Sequence, residues 1–246
     1  MIVLFTDFGR NGPYQGLMEN AIYRIAPSVK VIDLVADAPS CDMNASAHLL
    51  AALVSNFDQG TLFLSVVDPG VGGAREPCIV CADGYWFVGP NNGLFSVITS
   101  RAKEVCWWRI TWRPESLSET FHGRDLFAPV AAHLALDVAN IDGLAELSFD
   151  AKPLIEESPY RVIYIDDYGN VMTSIVAEPV ARTAQIKANG QLLPYAKTFS
   201  DCGREQGFWY CNSLGLVEIA INGGSAAREL NCVIGDRVDL IKSISS

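Results

Sequence analysis

The chain has 246 residues, with 18 Lys and Arg against 28 Asp and Glu, so its formal net charge is −10. Half of the residues are hydrophobic and 19% are charged, which is enough apolar material for a packed core and excludes intrinsic disorder. The acidic balance argues against a nucleic-acid binder, which carries a basic stripe, and against attachment to anionic membranes.

Ile2–Phe5 reads as a short apolar strand that ends at Thr6-Asp7-Phe8-Gly9. From Gly16 the apolar positions Leu17, Met18, Ala21, Ile22 and Ile25 recur at steps of three and four, a helix that Pro27 stops. Val29–Val35 is a second strand, Ala45–Leu53 a second helix and Thr61–Val67 a third strand ending at Asp68-Pro69-Gly70. Cys78–Ala82 and Trp86–Val88 flank Asp83-Gly84, a strong hairpin signal. A further helix is expected over Asp125–Leu136. This alternation indicates βαβ units and a mainly parallel sheet. After Pro153 come only short strands, Tyr160–Ile165, Ala184–Ala188, Gln191–Leu193, Phe208–Cys211, Val217–Ala220 and Arg237–Leu240, as in a small antiparallel barrel or sandwich. Two domains are therefore expected, 1–150 and 159–246, joined by a linker at 151–158.

No apolar run reaches the ~18–20 residues of a membrane helix. Met1–Gly9 has neither a basic leader nor a small-residue cleavage site. Seven cysteines, an odd number, favour free thiols in a reducing compartment, so a cytoplasmic protein is expected. Cys78 and Cys81 have C-x-x-C spacing, but Ile79 and Val80 between them read as buried strand rather than as a redox elbow or zinc knuckle.

Three loops follow the carboxyl ends of the expected strands, where open α/β sheets bind ligands: Thr6–Gly12, Val67–Arg75 and Thr120–Asp125. Neither G-x-G-x-x-G nor a P-loop occurs. Asp7, just past the first strand, is placed either to accept two hydroxyl hydrogen bonds, as an acidic residue does for a ribose, or to cap a turn. Asp68 and Arg75 flank the glycine turn. His122 lies in a loop before a helix, whereas His48 and His133 fall inside helical patterns. Asp166, Gly169 and Asn170 form a turn.

Six motifs stand in order: Thr6-Asp7-Phe8-Gly9; Val67-Asp68-Pro69-Gly70-Val71-Gly72 with Arg75; Gly89-Pro90-Asn91-Asn92-Gly93; Phe121-His122-Gly123-Arg124-Asp125; Asp166 to Asn170; and Asn212-Ser213-x-Gly215. Together they resemble the S-adenosylmethionine (SAM) hydroxide adenosyltransferases, relatives of fluorinase and chlorinase, over essentially the whole chain. The resemblance implies a Rossmann-like α/β domain followed by a small β-barrel domain. It also implies a homotrimer with SAM held between neighbouring subunits, and hydrolysis of SAM to adenosine and L-methionine. By the same resemblance Asp68, Arg75 and His122 activate water, and Asp7 holds the ribose. Asp166 and Ser213 meet the methionine portion, Asn170 meets adenine and Phe208 stacks on it; Phe121 joins Phe8 and Val71 as an apolar wall. SAM is then substrate, and no cofactor or metal is expected. Departures from the family pattern fall at Gly12, Leu214 and Cys41, around the methionine end and near the substrate. Halide addition and a SAM- or adenosine-binding module without turnover are the competing readings.

Overall fold

The computed structural model describes residues 1–148 and 159–241. Two units divide the chain, Met1–Ile155 and Glu156–Ser246. The expected linker, 151–158, lies outside the described residues.

The first unit contains β1 (Ile2–Thr6), α1 (Tyr14–Tyr23), β2 (Val31–Val35), α2 (Met43–Val54), β3 (Leu62–Val66), β4 (Pro77–Ala82) and β5 (Tyr85–Pro90). It continues with α3 (Ser96–Arg101), β6 (Val105–Ile110), α4 (Ala128–Leu136) and β7 (Ala145–Ser148). The strands form one sheet in the order β2-β1-β3-β5-β4-β6-β7. β1 pairs in parallel with β2 and β3, and β3 with β5, while the β5–β4, β4–β6 and β6–β7 pairings are antiparallel. Five of the seven strands thus share one direction, and β4 and β7 oppose them.

β1 and β3 are buried along their whole length, as central strands covered on both faces must be. On one face Met18 and Ile22 of α1 and Val130 and Leu134 of α4 pack on Ile2, Leu4, Leu64 and Val66. The alternate residues Val3, Phe5, Phe63 and Phe87 point to the other face. There Phe63 stacks on Phe87 at 5.4 Å and Phe95, just before α3, meets Phe87 at 5.5 Å. The Asp83-Gly84 turn has positive φ at both residues, 47° and 83°, the geometry a two-residue hairpin needs.

The helix expected from Asp125 begins differently. Gly123–Phe127 is a π-turn, and α4 starts only at Ala128. Pro129 has no N–H to bond the carbonyl of Asp125, so the regular ladder cannot extend back through that residue. The wider turn takes its place, with Ala128 N–H donating to the Gly123 carbonyl.

The second unit comprises β8 (Val162–Ile165), β9 (Val171–Val176), β10 (Gln185–Ala188), β11 (Gln191–Leu193), β12 (Gly207–Cys211), β13 (Leu216–Ile221), α5 (Ala226–Glu229) and β14 (Val238–Ile241). They make two antiparallel sheets, β11-β10-β14 and β12-β13-β9-β8. Isolated bridges link the sheets at both edges, Arg161 with Arg237 and Tyr195 with Trp209. Trp209 is buried in the core between them and donates its indole N–H to the Ala184 carbonyl at 3.0 Å. Among the described residues no helix is long and apolar enough to cross a membrane.

Candidate active site

β1 and β3 are neighbours in register, Thr6 beside Val66, so Asp7 and the loop that starts at Val67 leave the sheet at the same edge. The Val67–Arg75 loop is held at both ends by the Gly89–Gly93 segment. Asn92 Nδ2 donates to the Val67 carbonyl at 2.9 Å, and Asn91 N–H donates to the Glu76 carbonyl at 2.8 Å. Between these ties Gly72 has φ 76°, and a Cβ there would lie 2.5 Å from the Glu119 carbonyl oxygen. Only glycine lets the loop turn this way and touch the segment that leads to His122.

Three of the predicted residues meet. Arg75 Nε donates to Asp68 Oδ1 at 2.9 Å and to Oδ2 at 3.0 Å, and Nη2 also bonds Oδ2. The same Nη2 lies 2.8 Å from His122 Nδ1. A guanidinium only donates, so Nδ1 accepts and the neutral imidazole carries its proton on Nε2. The order is carboxylate, guanidinium, imidazole, so the residue that backs His122 is Arg75 and not Asp68. The Asp68 and Arg75 side chains are only 5% and 10% exposed, and the guanidinium also lies 5.3 Å from the Phe127 ring centre, on the π-turn that follows His122. Burial, then the nearby Arg75 charge, holds the His122 pKa below the ordinary histidine value, against a smaller opposing pull from Asp68.

Asp68 and His122 line a cavity of about 160 Å³ together with Asp7, Phe8, Val71 and Phe121; Arg75 is not among its lining residues. Phe8, Tyr14 and Phe121 form a triangle of edge-to-face rings with centres 5.2–6.0 Å apart. Asp7 Oδ2 accepts from the Ser40 hydroxyl at 3.2 Å, yet burial outweighs that bond and raises the carboxyl pKa. A larger cleft of about 330 Å³, lined by Leu17, Arg24, Trp112 and Arg124 among others, contains none of the predicted site residues.

The other predicted residues lie in the second unit. Asp166 accepts from the Asn170 N–H at 2.8 Å and from Asn170 Nδ2 at 2.9 Å, which fixes the turn around Gly169 and its exposed neighbour Tyr168. Ser213 is exposed in a turn shaped by Asn212, whose Oδ1 accepts from Leu214 and Leu216 and whose Nδ2 donates to Glu218 at 2.7 Å. Glu218 is buried and also receives the Tyr210 hydroxyl, whose pKa rises through burial first and that bond second. Sequence reasoning missed this Tyr210–Glu218–Asn212 group; its signal was one carboxylate inside the apolar run Val217–Ala220. Phe208 is 0% exposed, packed edge-on against Phe199 at 5.0 Å, so within this chain it offers no face for stacking. The rings of that cluster that reach solvent are Phe199 and Tyr210.

Two family models match the chain: the SAM hydroxide adenosyltransferase N-terminal domain over residues 2–144 and the C-terminal domain of the same family over residues 160–239. An (R)-S-adenosyl-L-methionine hydrolase of Thermus thermophilus is 32% identical over 98% of this chain and 99% of its own length. A fluorinase of Nocardia brasiliensis is more distant, 23% identical over 98% of this chain and 96% of its own. The solved structure of an uncharacterized conserved protein from Thermotoga maritima superposes with a TM-score of 0.89 at 29% identity, over 98% of this chain and all of that one.

Proposed function

Because the chain belongs to the SAM hydroxide adenosyltransferase family, we propose that the Asp68–Arg75–His122 chain is where it hydrolyses SAM to adenosine and L-methionine. Water attacks C5′ opposite the sulfonium. The new O–C5′ bond forms as the C5′–S bond breaks, its electron pair returns to sulfur as a neutral thioether, and one proton leaves the attacking water. Water at pKa ~15.7 needs help at neutral pH. Asp68 faces the cavity as proton acceptor, since a carboxylate engaged by one guanidinium keeps lone pairs free. His122, neutral and protonated on Nε2, donates to the water and fixes its direction. Arg75 positions both and supplies the charge that favours hydroxide character. Asp7 receives the ribose hydroxyls, and Phe8, Val71 and Phe121 keep the site dry. A sulfonium and a hydroxide cancel charge on reaction, so a low-dielectric wall assists. A carboxylate at the nucleophile repels halide, which tells against halide addition.

The observation that carries this reading is the three-residue chain at the wall of a cavity beside Asp7. Incubation with SAM in ¹⁸O-water tests it: adenosine labelled at the 5′ oxygen is expected, and intact SAM after prolonged incubation refutes hydrolysis.

The first unit is read as Rossmann-like and the second as a small barrel, the latter supported by the bridges at both edges of its two sheets. The active form is read as a cytoplasmic homotrimer that uses no cofactor. A cavity of about 160 Å³ is smaller than the ~300–1,000 Å³ typical of small-molecule sites. A neighbour's Asp166, Asn170 and Ser213 supply the remaining contacts in this reading. The exposed Tyr168 ring, 83% accessible, belongs to the same surface.

A further inference from the structure

Cys78 and Cys81 stand three residues apart on β4, so the two-residue alternation of a strand sends them to opposite faces. Their spacing is not their partnership. β4 also pairs with β6, and the register sets Cys106 directly opposite Cys81, without a shift from Cys78 beside Arg109 to Ala82 beside Val105. The end of this ladder is clamped: Asp83 N–H donates to the Glu104 carbonyl at 3.0 Å, and the Asp83 carboxylate accepts from the N–H groups of Lys103 and Glu104 at 3.0 and 2.9 Å.

Hydrogen-bonded pairs alternate along an antiparallel ladder. The Asp83 N–H donating to the carbonyl of Glu104 directly opposite sets the parity of the ladder, which puts Cys81 and Cys106, two residues on, at a hydrogen-bonded position with a Cα separation of ~5.5 Å. Disulfides span ~4.4–6.8 Å between Cα atoms and are commonest near ~5.5–6 Å. Both cysteines are free; Cys106 is exposed and Cys81 half-buried. Cys106 is also among the groups that raise the Cys81 thiol pKa, behind burial as the larger cause.

The geometry points to Cys81 and Cys106 as an oxidative modification site, a dithiol that a low-molecular-weight disulfide closes into a cross-strand bridge. The exposed Cys106 thiolate attacks one sulfur of the small disulfide and expels one thiolate. The Cys81 thiolate then attacks the Cys106 sulfur of the mixed disulfide and expels the second. Two protein thiols are oxidised, one small disulfide is reduced to two thiols, and both protein protons end on the expelled thiolates. A solvent-accessible bridge of this kind is readily reduced, so the step reverses with excess thiol. The site lies apart from the residues that line the cavity and does not depend on the hydrolase reading. Trp86 lies opposite Cys81 on β5 and stacks on Trp108 at 5.6 Å, so an indole pair reports on the bridge.

The full-length reduced protein is treated with oxidised glutathione, blocked with N-ethylmaleimide and mapped by mass spectrometry. A Cys81–Cys106 linked peptide, two hydrogens lighter than the reduced pair, is expected, with a fall in tryptophan emission that dithiothreitol reverses. Cys81→Ser should leave Cys106 as a stable glutathione adduct with no link. Separate adducts, or maleimide on both residues of the unaltered protein after oxidation, overturn the proposal.

Discussion

Replacing Arg75 by lysine tests the chain of three most sharply. The lysine keeps a positive charge beside Asp68, so the buried carboxylate is not left alone. It loses the flat fork that bonds both carboxylate oxygens and, through Nη2, His122 Nδ1. One ammonium on a flexible stem can satisfy Asp68 or His122 but not both in this geometry. Two charge-assisted hydrogen bonds are therefore lost, each worth ~1.5–3 kcal/mol. If both are engaged while hydroxide character develops, ~3–6 kcal/mol leaves the transition state, about 10²- to 10⁴-fold in kcat at ~1.4 kcal/mol per decade. Arg75 does not line the cavity, so KM for SAM should move by less than about tenfold. The assay is steady-state release of adenosine by chromatography, with thermal unfolding run in parallel. An Arg75→Lys variant that folds normally and turns over within about threefold of the parent would refute the view that Arg75 organises the nucleophile.

The His122 ring should give kcat an acid limb with its midpoint below the ordinary histidine value of ~6.5, because a proton on Nδ1 displaces Arg75; His122→Gln should remove the limb. Since the folded-state pKa is lowered, the stability this ring contributes is present above the unfolded value and lost as pH falls through the folded one, which urea titrations across pH 5–7 would detect. Gly72→Ala, with φ 76° and its new Cβ 2.5 Å from the Glu119 oxygen, should lower stability by ~1–3 kcal/mol and slow turnover together, read by urea midpoint and kcat. Asn92→Ala strips the side-chain donor from the Val67 carbonyl and should cost ~1–3 kcal/mol, with kcat falling more than KM changes; an unaltered urea midpoint would contradict the tie. Randomly mixed oligomers refolded from equal amounts of Arg75→Ala and Asp166→Ala chains, each inactive alone, should recover about one quarter of parental activity if each site takes one unit from each of two subunits, as the proposed homotrimer requires, and none if each site is built from one chain.

The parts of this protein that announce themselves in sequence are those that depend on near neighbours along the chain. Asp7 and Asp68 follow apolar strands, His122 precedes a helix, and Asp83-Gly84 is a turn whose φ values its own residues dictate. The strands β6 and β9 and the helix α3 escaped because their apolar runs are interrupted or short, and pairing to strands distant in sequence, β4 for β6 and β13 for β9, helps to hold the two strands. The π-turn escaped for a related reason: Pro129 breaks a ladder whose other end lies four residues earlier, which a periodicity of apolar residues does not register.

Partnership between side chains was hardest to read, and sheet order explains why. The chain leaves β3 at Asp68 and re-enters the sheet at β4, two positions away with β5 between them, so Arg75 is carried back across the sheet edge beside the residue where the loop began. The same order sets β4 against β6, which takes Cys81 from its neighbour in sequence, Cys78, and gives it to Cys106. In both cases residue type named the chemistry, a buried cation or a reactive thiol, and a non-local pairing of strands chose the partner. Phe208 is the reverse instance: strand alternation in β12 sends Trp209 into the core and Phe208 to the opposite face of the sheet, where Phe199 and Tyr210 cover it, so residue type alone does not tell which aromatic of the cluster a ligand meets. A motif therefore specifies a site only as far as the faces of its strands are known, and those faces are fixed by hydrogen-bond register rather than by spacing.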